Sequence, residues 1–121
     1  MIRKRDEKEY DRKPAPFQGT GEILVRNLLV GSDEMYQAGR VFAHTTVYPG
    51  SEIGYHVHQK ESETYYILSG TAQYNDNGKE VTLVAGDVAF TGTGEGHGIK
   101  ALGNEPVEMV ALILYDKRDE K

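Results

Sequence analysis

The chain contains no cysteine, which excludes disulfides and thiolate ligands, so any metal site must be built from histidine and carboxylate. No apolar run approaches the ~18 residues a membrane-spanning helix requires. Basic residues are in the minority, with 14 Lys and Arg against 19 Asp and Glu and a net charge of −5. A surface made for nucleic acid or an anionic membrane needs the opposite balance. The opening Met-Ile-Arg-Lys-Arg-Asp-Glu-Lys-Glu has no apolar leader segment, which sets a cytoplasmic expectation. Helical periodicity is scarce as well. Residues 32–39 come nearest to it and read as a loop or a single turn.

What is present is a succession of short β-like runs. A chain of 121 residues is one domain with room for a substantial core. Residues 22–29, 41–48, 53–58, 64–68, 71–75, 79–84, 87–90, 97–101 and 107–115 are rich in branched and aromatic side chains. Turn residues separate them: Pro49-Gly50, Asn77-Gly78, Ala85-Gly86-Asp87 and Gly103-Asn104. Asn-Gly suits a type I′ hairpin. Short strands at this spacing predict an all-β antiparallel sandwich or barrel. Residues 1–16 form a charged segment expected to remain a flexible arm or to dock on a partner subunit. Residues 17–115 make the barrel, and the charged tail 116–121 is expected to fray.

The stretch from Gly50 to Gly70 holds the chemistry. His56 and His58 are two residues apart, so on a strand they share a face. Glu63 can join them if the chain turns back through residues 59–62. Two neutral imidazoles and a carboxylate suit several divalent transition ions. Of the remaining histidines, His44 lies in the alternating run 41–48 and reads as an outer-face or dimer-interface residue. His97 follows Gly92-Thr-Gly94-Glu-Gly96 at the start of a strand, where a glycine-rich turn lets the chain fold tightly. His56, His58, Glu63 and His97 are therefore the expected ligands of one Mn, Fe, Zn or Ni ion. Four protein donors leave open positions on a five- or six-coordinate ion, as a working site needs. Glu52, Glu61 and Glu95 read as solvated loop charges, with Glu61 a substitute ligand if the loop register slips.

These residues carry a resemblance. Gly50 to Gly70 resembles the first motif of the cupin family at every defining position: glycine, five residues, His-x-His, four residues, Glu, six residues, glycine. Residues 86–101 resemble the second motif through Gly86, Gly94 and His97. Gly92 stands where the family has proline and Ala101 where it has asparagine, departures that touch turn stiffness and packing rather than ligation. The resemblance implies a small single-domain metal-binding cupin, with a double-stranded β-helix or jelly-roll barrel. It also implies a homodimer paired through outer strands, with the arm lying across the neighbour.

Alternation from Glu63 puts Tyr65 and Ile67 on the ligand face, although a plain core aromatic is the simpler reading of Tyr65. Counting from His97 adds Ile99 and Ala101. The resemblance places Ala43, Thr45, Val47, Met109, Ala111 and Ile113 inward, with Ile53 beside the metal. These walls are apolar, and Ala43 stands where an anion-holding arginine is sought, with Arg26 and Arg40 further out. The expectation is a metal-dependent enzyme, dioxygenase-like or oxalate-decarboxylase-like, acting on a small organic acid or enolisable substrate. The dioxygenase type agrees better with apolar walls. A non-redox sugar or sugar-phosphate isomerase or epimerase is the alternative, weakened because Lys100 has the wrong strand parity to point inward. A non-catalytic ligand-binding or sensory module is another.

Overall fold

The computed structural model describes residues 1–118. Ten strands run β1 (Tyr10–Pro14), β2 (Glu22–Leu29), β3 (Gly39–Val47), β4 (Glu52–Val57), β5 (Glu61–Ser69), β6 (Thr71–Asp76), β7 (Lys79–Leu83), β8 (Val88–Thr91), β9 (Gly96–Leu102) and β10 (Val107–Tyr115). One six-stranded sheet has the order β1-β2-β3-β10-β5-β8, and a four-stranded sheet has the order β4-β9-β6-β7. Every pairing is antiparallel. This is the all-β jelly-roll barrel expected of the chain. Residues 32–39 form one short 3₁₀ turn at Asp33–Met35.

Alternation explains how the two sheets close on each other. Along β10, Val107, Met109, Ala111 and Ile113 are buried, while Glu108, Val110 and Leu112 are less so. Val107, Met109 and Ala111 join Val47, Ile67 and Tyr65 of the neighbouring strands β3 and β5, and Ile99 of the opposite sheet, in one continuous core. Burying a side chain such as Ile67 or Ile99 contributes about 1.5–3 kcal/mol. At Asn77-Gly78, φ is 53° and 93°. Both residues thus adopt the left-handed region that a type I′ turn demands between β6 and β7.

The segment expected to be a free arm behaves differently. Tyr10–Pro14 pairs with β2, Tyr10 opposite Arg26 and Pro14 opposite Glu22, and so forms the edge of the larger sheet. All five of its side chains are exposed, so it is held by main-chain hydrogen bonds and leaves no apolar pattern in the sequence. Of the tail expected to fray, residues 119–121 lie outside the described residues. Within it, Arg118 binds Asp116.

Candidate metal centre

The four expected ligands come from both sheets. His56 lies near the end of β4 and His58 just beyond it, Glu63 is on β5, and His97 opens β9. A register shift between Ile53 and His56 sets His56 opposite His97. The chain then turns at Lys60, where φ is 60°, and crosses to the other sheet as β5. Backbone bonds from His58 N to Glu95 O (3.1 Å) and Gly94 N to His58 O (2.7 Å) tie the end of β4 to the turn before β9. Donor atoms of all four side chains lie within 4.8 Å of one another.

Each imidazole is held by its Nδ1. His56 Nδ1 donates to the Gly54 carbonyl at 2.8 Å, and a carbonyl can only accept. His58 Nδ1 donates to Glu61 Oε2 at 2.7 Å. His97 Nδ1 meets the Tyr74 hydroxyl at 2.8 Å, which in turn meets Thr91 Oγ1 at 2.9 Å. With Nδ1 donating, neutral His56 and His58 turn bare Nε2 lone pairs to the centre, and His97 does the same when its Nδ1 donates to Tyr74. There the Nε2 atoms of His56 and His97, and of His58 and His97, are 3.1 Å apart. Glu63 Oε1 lies 3.0 Å from His97 Nε2, 3.1 Å from His58 Nε2 and 3.9 Å from His56 Nε2.

Acceptors this close repel unless a cation or a proton lies between them. Separations near 3.0 Å are the edge between neighbouring ligands on an octahedral ion with bonds of about 2.1 Å. The donor set therefore fits a divalent transition ion. Electrostatics agree. Burial works to raise the Glu63 carboxyl, but His56, His58 and His97 outweigh it and hold it well below the usual carboxylate range. Burial lowers His97 and keeps it neutral against the pull of Glu63. Glu63 chiefly raises His58, with Glu61 adding to the effect against burial. Burial pushes the Tyr74 phenol up to about 12, so it remains a neutral hydrogen-bonding group.

Glu61 corrects the sequence reading, which made it a solvated loop charge or a substitute ligand. It takes two bonds of 2.8 Å from Arg40, which lowers its carboxyl and fixes the oxygen that holds His58. Its sequence position marked it out only as a substitute ligand, not as the partner that holds His58. Glu95 is an exposed residue whose Oε1 accepts from Gly92 N at 2.7 Å. His44 lies on the outer face, as expected, with Nε2 2.8 Å from Glu108 Oε1.

A cavity of about 220 Å³ opens over the donor cluster. Of the expected wall residues, Thr45, Ile53, Tyr65, Met109, Ala111 and Ile113 line it. Ala43, Val47, Ile67 and Ile99 face the same interior but are filled over as core, at 0–1% exposure. Tyr65 does both jobs. It is buried in the core, and its ring stacks on His97 with centroids 4.9 Å apart.

The sequence reading missed the mouth. Lys13, Pro16, Phe17 and Arg40 line the cavity, so its wall is not purely apolar and Arg40 does not lie outside it. Phe17 stacks flat on His56, with centroids 3.8 Å apart and planes 13° from parallel. Close backbone approach puts it there. Gly54 N donates to Pro16 O, and a Cβ on Gly54 would overlap the Phe17 carbonyl oxygen. A larger hollow of about 520 Å³ lies outside the barrel beside Phe90 and Asp116, away from the donor cluster.

A model of the cupin domain matches residues 43–113, and the chain belongs to the cupin family. It is 44% identical over 96 residues to the oxalate-binding protein of Thermotoga maritima, covering 79% of this chain and 78% of the relative. A crystal structure described as a predicted oxalate decarboxylase, also from Thermotoga maritima, superposes with a TM-score of 0.90 at 39% identity. The match covers 95% of this chain and 99% of that one. KdgF from Halomonas sp. gives a TM-score of 0.72 at 19% identity over 99% and 98% of the two chains, a likeness of fold alone.

Proposed function

We propose that this protein binds one divalent transition ion through His56, His58, Glu63 and His97 and holds a small organic acid of the oxalate class against it. The carrying observation is the convergence of three Nε2 atoms and Glu63 Oε1 at the base of a cavity whose mouth carries Lys13 and Arg40. Mn, Fe, Zn and Ni all suit such a donor set. When bound, the ion supplies a Lewis-acidic centre with positions left for carboxylate oxygens. The chain does the rest. Nδ1 partners aim the imidazoles, Phe17 and Tyr65 flank His56 and His97, and apolar Ile53, Met109 and Ile113 exclude water. The likeness to an oxalate-binding relative supports the same ligand class.

Metal analysis of the purified protein, followed by calorimetric titration of the metal-loaded chain with oxalate, tests this reading. Stoichiometric metal and saturable oxalate binding are expected. A loaded protein that ignores oxalate overturns it.

Turnover is the second reading, favoured by the likeness to a structure described as a predicted oxalate decarboxylase. Cleaving oxalate to carbon dioxide and formate requires a proton delivered to the nascent formate carbon. Apart from His56, His58 and Glu63, the titratable groups on the cavity wall are Lys13, Arg40 and Tyr65. Burial pushes the Tyr65 phenol well above its ordinary value, leaving Lys13 as the candidate proton source on this wall. Formate appearing in an NMR time course would establish turnover, and its absence with bound oxalate leaves a binding protein.

The reading also includes a homodimer. Tyr66, Leu68, Val88 and Phe90 on β5 and β8 are exposed, an apolar stripe suited to a second copy. Sedimentation that finds only monomer would remove it.

A further inference from the structure

We propose that Lys13 is a specificity-determining residue that takes the distal carboxylate of the ligand, making the site selective for small dicarboxylates over monocarboxylates. This rests on the reading of the site as a metal-dependent organic-acid site.

Strand parity places the residue. Lys13 is opposite Ile23 in the β1–β2 register, and Asp11 is opposite Val25. Ile23 and Val25 both line the cavity, so the odd-numbered residues of β1 share the cavity side. Arg12, of the other parity, turns outward to Glu22, with Nε to Oε2 at 2.6 Å. Of the two residues on the cavity side, Lys13 reaches the lining and Asp11 does not.

Charge then separates Lys13 from Arg40, the other cation at the mouth. Arg40 directs Nε and Nη2 to the two oxygens of Glu61, so its charge is balanced within the protein. Among the described residues Lys13 makes no ion pair. A divalent ion, one carboxylate from Glu63 and one free ammonium sum to two positive charges around the cavity. A dianion with one carboxylate at the donor cluster and the other toward β1 neutralises both. A monocarboxylate leaves the ammonium unmatched, and in a partly apolar cavity that mismatch counts for more than it would in water. The volume of about 220 Å³, with Phe17 across one side, keeps the ligand short.

The test compares wild type, Lys13→Gln and Lys13→Arg as full chains loaded with Mn, titrated with oxalate and with acetate. An exposed lysine on an edge strand held by main-chain bonds is replaceable without loss of the fold, which thermal melts check. For Lys13→Gln we expect oxalate affinity to fall about tenfold, with acetate and metal affinities unchanged. Lys13→Arg should keep the preference, and added salt should weaken oxalate binding more in wild type than in Lys13→Gln. Wild type and Lys13→Gln binding oxalate equally well, or Lys13→Gln losing oxalate and acetate in parallel, would overturn the role of Lys13 alone. Wild type that takes up metal but not oxalate overturns the underlying reading together with it.

Discussion

At the floor of the cavity, His97 is fully buried, stacked on Tyr65 and bonded at Nδ1 to Tyr74, which itself reaches Thr91. At the mouth, Lys13 sits on a strand whose five side chains are all exposed, and Phe17 is more than half exposed even while it covers His56. The floor is fixed by side chains from several strands of both sheets, the mouth by backbone contacts to β2 and β4. The contrast divides the labour. On the proposed reading, affinity for the ion would belong to the half that also makes the core, and selectivity for the ligand to the half that packing barely constrains.

The largest effect should come from the floor. His97→Ala or Glu63→Ala removes a donor, and metal affinity should fall by more than about 100-fold, read by competition with a chromophoric chelator. Full metal occupancy in either variant would break the division outright. Tyr74→Phe is the sharper cut, because it leaves all four donors and removes only the hydroxyl that orients His97. Metal affinity should drop by about 10- to 100-fold while the preference for oxalate over acetate persists. Should that preference vanish too, floor and mouth are not separable.

Gly54→Ala attacks the mouth. The new methyl would collide with the Phe17 carbonyl oxygen, at a cost of about 1–3 kcal/mol, and the segment carrying Phe17 should lift from His56. Ligand affinity should fall in calorimetry with metal still bound. Metal loss of the Tyr74→Phe size would place Phe17 with the floor instead. Smallest of all is Arg12→Ala. It breaks an ion pair with Glu22 that is more than half exposed on both sides, so the melting curve should overlay that of wild type. A clear downward shift would mean that side chains, and not the main chain, hold β1.

The same contrast explains what was legible in the sequence. Strand alternation and turn glycines carry the core, so an all-β sandwich or barrel and nearly every strand from Glu22 to Tyr115 could be read directly, while the jelly-roll form came with the cupin resemblance. The donors could be read because fixed spacings enforce them: His56 and His58 share a strand face, and Glu63 follows one turn later. Ala43, Val47, Ile67 and Ile99 were given the correct face but not the correct depth. Parity says which way a side chain points, not how far the cavity extends. Glu61, Arg40, Lys13 and Phe17 left no such signature, since each acts through a pairing remote in sequence: Arg40 with Glu61, β1 with β2, Phe17 with His56. Strand β1 was hidden for a related reason, as five exposed side chains look like an unstructured charged arm.

That edge strand also governs timing. The side chains of β1 itself are all exposed, so it should open locally while the barrel stays intact. Its amides should exchange with solvent through this local opening, well ahead of those in β9 and β10. A molecule captured beneath Lys13 and Phe17 would then leave at the pace of a swinging edge strand rather than of global unfolding. The lifetime of the proposed complex would then be tunable at residues 10–14 without touching any of the four donor residues.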